Sequence, residues 1–283
     1  AEVVSFEGAT PIFVDVDRDT FNMDVHSLET AIKAVLKEGK LKPRAVMPVD
    51  LFGLPADYDA IQQIADKYDL LVLEDGAQGF GGTYKGKRAC SFGDAATTSF
   101  FPAKPLGCYG DGGAVFTNDD ETAAYIRSLA VHGKGEHKYD NVRIGWNSRL
   151  DAIQAAILLV KLDAFEEYEL KGIDQVAQWY TEFLKDKVKT PIVPEGYTSS
   201  WAQYTITLKS EEERDLIITK LREQGIPTII YYPKPLHRQT VYKNHKLYVP
   251  CPVSEELSRT VVSLSFDPYR SKNLITGIVD NLF

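Results

Sequence analysis

The sequence predicts an α/β protein: a mainly parallel sheet with helices on both faces, followed by a smaller α+β unit. Three observations carry this expectation. Short apolar runs take turns with amphipathic helical stretches through the first third of the chain. One of those runs, Leu70-Leu71-Val72-Leu73, is continuously apolar, as are strands buried in parallel sheets. Beyond residue 187 the texture changes to single alternating strands separated by helices.

Taken in order, residues 11–17 read as a first strand that ends in acids. A helix follows with Val25, Leu28, Ile32, Val35 and Leu36 on one stripe. Residues 45–49 are a second strand, and Leu51-Phe52-Gly53-Leu54-Pro55 is a turn-rich loop. Asp57 is placed to cap a helix carrying Ile61, Ile64, Ala65 and Tyr68. Residues 70–75 form the buried strand, and 95–101 and 113–117 are two more. Asn118 and Asp119 can cap a helix whose inner face is Ala123, Ile126 and Leu129. Residues 148 to about 187 are helical over the whole stretch, with a break or kink expected at Gly172. Residues 201–208 alternate as a half-exposed strand, and 211–224 form a helix that Gly225 stops. Residues 227–232, 261–266 and 274–282 complete the small unit. The border falls inside the long helix, giving a large domain at 1–163 and a small C-terminal domain at 164–283.

Composition narrows the function. The 283 residues carry 32 Lys+Arg against 40 Asp+Glu, a formal charge of −8. A general affinity for nucleic acid or an anionic membrane is thereby excluded, while a local basic pocket stays open. Cys90, Cys108 and Cys251 are far apart and form no Cys-x-x-Cys pair, so neither a disulfide scaffold nor a zinc knuckle fits. No run of 18 apolar residues and no signal peptide stands out, and a soluble, cytoplasmic protein is expected. The chain starts at Ala1 rather than Met.

Three segments carry chemistry. In Leu73-Glu74-Asp75-Gly76-Ala77-Gln78 a buried strand delivers two acids and a glutamine at its carboxyl end, where open α/β sheets bind ligands. An aspartate there serves equally well as a helix cap. In Ser99-Phe100-Phe101-Pro102-Ala103-Lys104-Pro105-Leu106-Gly107 a lysine lies between prolines in an apolar stretch. Most lysines are solvated surface groups, but one held among apolar neighbours favours its neutral amine, a nucleophile that forms Schiff bases. Gly110-Asp111-Gly112-Gly113 is a flexible turn ahead of a strand. Its spacing is wrong for a dinucleotide fingerprint, which opens a helix. His132 and His137 read as members of a solvated loop rather than a metal site. Arg143, Asn147 and Arg149, before the long helix, could hold an anion or simply cap the helix. Tyr231, Tyr232 and His237 stand in a proline-punctuated loop, where they could equally pack a domain seam.

Together, Asp75-x-x-Gln78, Ser99-x-x-x-x-Lys104 and Gly110-Asp111-Gly112-Gly113 resemble the DegT/DnrJ-type sugar-nucleotide aminotransferases. The likeness extends from Gly8-Ala9-Thr10-Pro11 through Asn147-Ser148-Arg149 and Gln154-Ala155-Ala156 to Pro235-Leu236-His237. It implies a type I PLP-dependent transferase fold: a three-layer αβα large domain, N-terminally incomplete here, plus a small α+β domain. It also implies pyridoxal 5'-phosphate (PLP) as cofactor and no metal. Lys104 would bind PLP and then move the proton, and Asp75 would keep the pyridine nitrogen protonated. Gln78 would contact the ring oxygen and Ser99 the phosphate. Asn147 would reach the phosphate from the neighbouring subunit of a homodimer with shared active sites. Arg149, Tyr232 and His237 would hold the substrates. The implied reaction moves an amino group from L-glutamate to a nucleotide-linked keto sugar. Residues 99–113 look most like enzymes that aminate a UDP-3-oxo-N-acetyl-hexuronate for surface polysaccharide. The alternatives are a dTDP-4-keto-6-deoxy sugar as acceptor, or a PLP-fold fragment without catalysis. Two departures stand out: Gly76 in the acidic motif, and Tyr231-Tyr232-Pro233 where close relatives have His-Tyr-Pro. Family members also carry several dozen residues before the position of Ala1, with a phosphate-binding turn and an aromatic that stacks on PLP. Ala1 is therefore not expected to be a natural start.

Overall fold

A computed structural model describes residues 1–137 and 139–282; Phe283, the last residue of the expected small domain, lies outside them. In chain order the elements are α1 (Glu2–Phe6), α2 (Val25–Glu38), β1 (Ala45–Val46), α3 (Tyr58–Tyr68), β2 (Leu71–Asp75), β3 (Thr83–Tyr84), β4 (Lys87–Arg88), β5 (Ala95–Ser99) and β6 (Gly113–Phe116). They continue with α4 (Asp120–Leu129), α5 (Ala152–Ala164), α6 (Leu170–Leu184), β7 (Tyr197–Thr198), β8 (Thr205–Thr207), α7 (Glu211–Glu223), α8 (Pro252–Thr260), β9 (Val261–Ser263) and α9 (Lys272–Asp280).

The central sheet has the order β1-β2-β5-β6, with β1, β2 and β5 parallel and β6 antiparallel to β5. Helices α2 and α3 start where the sequence places them. Asp24 and Asp57 accept the N–H groups of Ser27 and Ala60, and Gly39 ends α2 in the left-handed region. Their apolar stripes, with Leu28, Ile32, Ile61 and Ala65, pack on Val46 and Val72 of the sheet. The opposite side of β2 is more open: Leu71 is exposed and Leu73 half-buried, so this strand is not enclosed on both faces as its apolar run suggests.

Three expectations are corrected. Residues 11–17 form no strand, because their acids are used elsewhere: Asp15 accepts the N–H groups of Val253 and Ser254 at the start of α8, and Asp17 closes the turn at Asp19 and Thr20. Gly172 does not break the long helix. A wider π-helical turn at Phe165–Glu169 joins α5 to α6, and Gly172 lies beyond it, where a Cβ would come within 2.8 Å of the Pro268 carbonyl oxygen. Within residues 201–208 only β8 is strand, and Tyr204, Thr205 and Ile206 are all buried, because α6, α7 and α9 surround it.

The C-terminal core is built on the β8–β9 pair, with Tyr180, Tyr204, Ile206, Leu221, Val262 and Ile275 fully buried. Side chains up to Leu170 pack on the 100–114 segment, whereas those from Ile173 onward pack on this C-terminal core. Leu221→Ala is expected to lower stability by about 2–5 kcal/mol through lost contacts and a residual cavity. Urea unfolding of the purified chain would measure it.

Candidate active site

Strand register gathers the sequence-predicted residues. Asp75 pairs with Thr97 across β2 and β5, and Ser99 lies two residues beyond Thr97. Side chains alternate along a strand, so Asp75, Thr97 and Ser99 stand on one face of the sheet and Glu74 on the other. Ser99 is roughly 7 Å further along the strand than the Asp75 level. The chain then leaves the sheet edge, makes the loop that carries Lys104, and returns at Gly113, opposite Ser99.

That loop is fixed by its main chain. Phe100 donates to the Gly112 carbonyl, Cys108 to Phe100, and Lys104 to Phe101. Phe100, Leu106 and Cys108 are buried against Leu158 and Phe165. A Cβ on Gly113 would come 2.7 Å from the Thr98 carbonyl oxygen, so glycine is required for the return. Lys104 itself is half-buried rather than enclosed in apolar surroundings.

The Asp75 carboxylate accepts the Ala77 N–H at 3.1 Å, which shapes the turn after β2. Gln78 is buried and its orientation is set: the Phe52 N–H donates to its Oε1 at 2.7 Å, leaving the amide NH2 end 3.5 Å from the Tyr232 hydroxyl. Burial pushes the Tyr232 phenol up, with Gln78 opposing it. Ser99 Oγ accepts the Phe101 N–H at 3.3 Å.

The remaining predicted residues are engaged by other side chains. Arg149 donates twice to the Asn147 side chain, at 3.0 and 2.6 Å, and both residues are exposed. His237 is buried, with its Nε2 2.9 Å from Glu255, which also pairs with Arg238. Hydrogen bonds from His237 first and Arg238 second hold the Glu255 carboxylate below its ordinary range. Sequence reasoning missed Asp50. It ends the run after β1 as Asp75 ends β2, the same signal of an acid at a strand's carboxyl edge, and it lies beneath the Gln78–Gly79 turn.

An amine, an acid, a hydroxyl and an amide on and beside one edge of the sheet form a donor set for a phosphorylated, electron-poor pyridine aldehyde. The DegT/DnrJ/EryC1/StrS aminotransferase family matches residues 1–283. The chain belongs to this family. Its fold is therefore the type I PLP-dependent transferase fold and its activity that of an aminotransferase. The chain is 45% identical over 270 residues to a UDP-2-acetamido-2-deoxy-3-oxo-D-glucuronate aminotransferase of Pseudomonas aeruginosa, spanning 95% of this chain and 71% of that protein. A DegT/DnrJ/EryC1/StrS aminotransferase from Brucella abortus superposes with a TM-score of 0.96 at 51% identity, over 100% of this chain and 75% of that one. The PLP form of a putative sugar aminotransferase from Streptococcus pneumoniae superposes with a TM-score of 0.88 at 27% identity, over 99% and 76% of the two chains. The family is PLP-dependent, and the residues at this sheet edge suit that cofactor in kind and order.

Proposed function

We propose that this aminotransferase moves an amino group from L-glutamate to a nucleotide-linked keto sugar, namely a UDP-3-oxo-N-acetyl-hexuronate for surface polysaccharide. The observation that carries the reading is the register that puts Asp75 and Ser99 on one face, with the Lys104 loop rising from the same edge. The substrate class rests on the P. aeruginosa relative.

PLP, once bound, supplies an electron sink for the carbon that loses its proton. The chain's own residues do the rest. Lys104 would hold the cofactor through Nζ, and its free amine would take up and return the proton of the substrate carbon. The Asp75 carboxylate holds a proton at the pyridine nitrogen. Gln78, with its oxygen already occupied by Phe52, turns its NH2 toward the ring oxygen. The Ser99 hydroxyl donates to the phosphate, Tyr232 borders the substrate beside Gln78, and Arg149 and His237 serve anionic substrate groups.

The segment that bears Asn147 and Arg149 also exposes Ile144, Trp146, Ile153, Leu159 and Val160. So many exposed large apolar side chains in one segment are a feature of interaction surfaces. They support a homodimer in which Asn147 reaches the phosphate of the neighbouring subunit's site. The two domains divide in the continuous helix, near residue 163; a division within this helix is supported by its change of packing, which falls between Leu170 and Ile173. A cytoplasmic location fits three free cysteines, all buried. Among the described residues no helix is long and apolar enough to cross a membrane.

The test is to load the protein with pyridoxamine phosphate and follow the cofactor absorbance with two acceptors. The UDP-3-oxo-N-acetyl-hexuronate should restore the PLP spectrum. A response to a dTDP-4-keto-6-deoxy sugar alone would overturn the substrate assignment. Loss of the cofactor on gel filtration, with no response to either sugar, would favour a protein without catalysis.

A further inference from the structure

Below the turn that carries Asp75 and Gln78 lie two fully buried carboxyl groups, Asp50 and Glu74. The parallel bridge between Val49 and Asp75 puts Asp50 and Glu74 on the same face of the sheet, the one opposite Asp75. Both oxygens of Glu74 are already acceptors, Oε1 from the Cys90 N–H and Oε2 from the Phe92 N–H at 2.8 Å. Asp50 Oδ1 accepts twice as well, from the Ala56 N–H at 3.0 Å and the Tyr58 hydroxyl at 2.7 Å. Asp50 Oδ2 has no donor partner among the described residues, although no solvent reaches it. Two ionised carboxylates only accept and cannot bond to each other; with one proton they can. The oxygen available to carry that proton is Asp50 Oδ2.

The pair also holds the turn mechanically. The Asp50 N–H donates to the Asp75 carbonyl at 3.0 Å. Oδ2 is so close to the Gly79 main chain that a Cβ there would come within 2.3 Å of it. We propose that Asp50 is a positioning residue kept as the neutral acid, its Oδ2–H donating to Glu74, so that the pair bears one negative charge and ties the 50–58 segment to the Asp75–Gly79 turn.

The electrostatics agree. Burial, then the Glu74 charge, raise the Asp50 carboxyl well above its usual range. The titratable groups facing the pair are Tyr58 from α3, Asp75 and Glu74 itself from β2, and Cys90 from the segment between β4 and β5. Burial pushes the Cys90 thiol up to about 12 and the Tyr58 phenol up as well, so both stay neutral at pH 7.

An acid whose folded pKa is raised binds its proton in the folded state while the unfolded chain has lost it. Its contribution is fully present below the unfolded pKa and is lost as pH rises towards the folded value. Asp50→Asn removes this dependence and keeps all three side-chain hydrogen bonds, since the amide oxygen still accepts from Ala56 and Tyr58 and the NH2 donates to Glu74. The expected result is a Tm difference that moves in the variant's favour as pH is raised from 5 to 8, by up to about tenfold in the folding equilibrium per pH unit. A constant difference, or one moving against the variant, would overturn the proposal. Infrared spectra of the wild-type protein with 13C-labelled aspartate provide a second reading that does not require the variant to fold. A shifted carboxylic-acid carbonyl band should persist at pH 7, and its absence would contradict the neutral acid. PLP binding tests the positioning role. Asp50→Asn should retain it, while Asp50→Ala should weaken it roughly tenfold or more by leaving buried partners unpaired; equal affinities would overturn that role. This last arm rests on the proposed cofactor, whereas the pH and infrared arms do not, so the two failures are distinguishable.

Discussion

Lys104→Ala is expected to lower kcat for transamination on the order of 10⁴-fold, the upper range for a positioned proton-transfer group. The loop should survive the change, because its shape comes from main-chain bonds at Phe100, Phe101, Cys108 and Gly112 and from buried Phe100, Leu106 and Cys108. The circular-dichroism spectrum and Tm should therefore match the wild type while turnover collapses. Lys104→Arg should be equally inactive. It keeps the charge, but a guanidinium does not give up its proton in proteins and cannot serve as the free amine. A Lys104→Arg variant that still transaminates at a wild-type rate would refute the assignment. Stopped-flow absorbance of the cofactor with L-glutamate measures the half-reaction without the sugar, separating this result from errors in the acceptor.

Asp75→Asn is expected to reduce kcat on the order of 10²–10³-fold, the size of effect seen when one preorganised electrostatic partner of developing charge is lost. The substitution isolates charge from shape. In the wild type the side-chain oxygen accepts the Ala77 N–H. An asparagine oxygen makes the same turn, so the backbone at Gly76 and Gln78 is preserved. What disappears is the negative charge that, in the proposed mechanism, would keep the pyridine nitrogen protonated. PLP should still bind through Lys104, Ser99 and Gln78, with a loss in kcat much greater than any rise in KM. Variant activity within a few-fold of the wild type would show that Asp75 serves only as the turn cap.

Much of this was legible in the sequence where local chemistry dominates. Asp57 and Asp119 cap helices as expected because the carboxylate bonds are made within three residues. Asp75 could be singled out because it ends a strand, and strand ends define a ligand-binding edge, whereas Ser99 was singled out by the family resemblance and its strand, read as 95–101, ends at Ser99 in the structure. What failed depended on distant partners. The 11–17 run has the pattern of a strand, but Asp15 is committed to the start of α8, more than two hundred residues away. Gly172 reads as a helix breaker because the approach of Pro268 is invisible locally, and the π-helical turn at Phe165–Glu169 has no residue that announces it. The partnership of His237 with Glu255 and the Asp50–Glu74 pair were hidden for the same reason. Asp50 was within reach of the rule that singled out Asp75. The turn-forming residues Leu51 to Pro55 that follow it directly mask it as a strand end.

The most direct test of the central claim is to load the protein with PLP, reduce it with borohydride, and map the pyridoxyl label by peptide mass spectrometry. The label is expected on Lys104, in the peptide that follows Ser99. A label on another lysine, such as Lys161 on α5, or no label on protein that has bound PLP, would contradict the account.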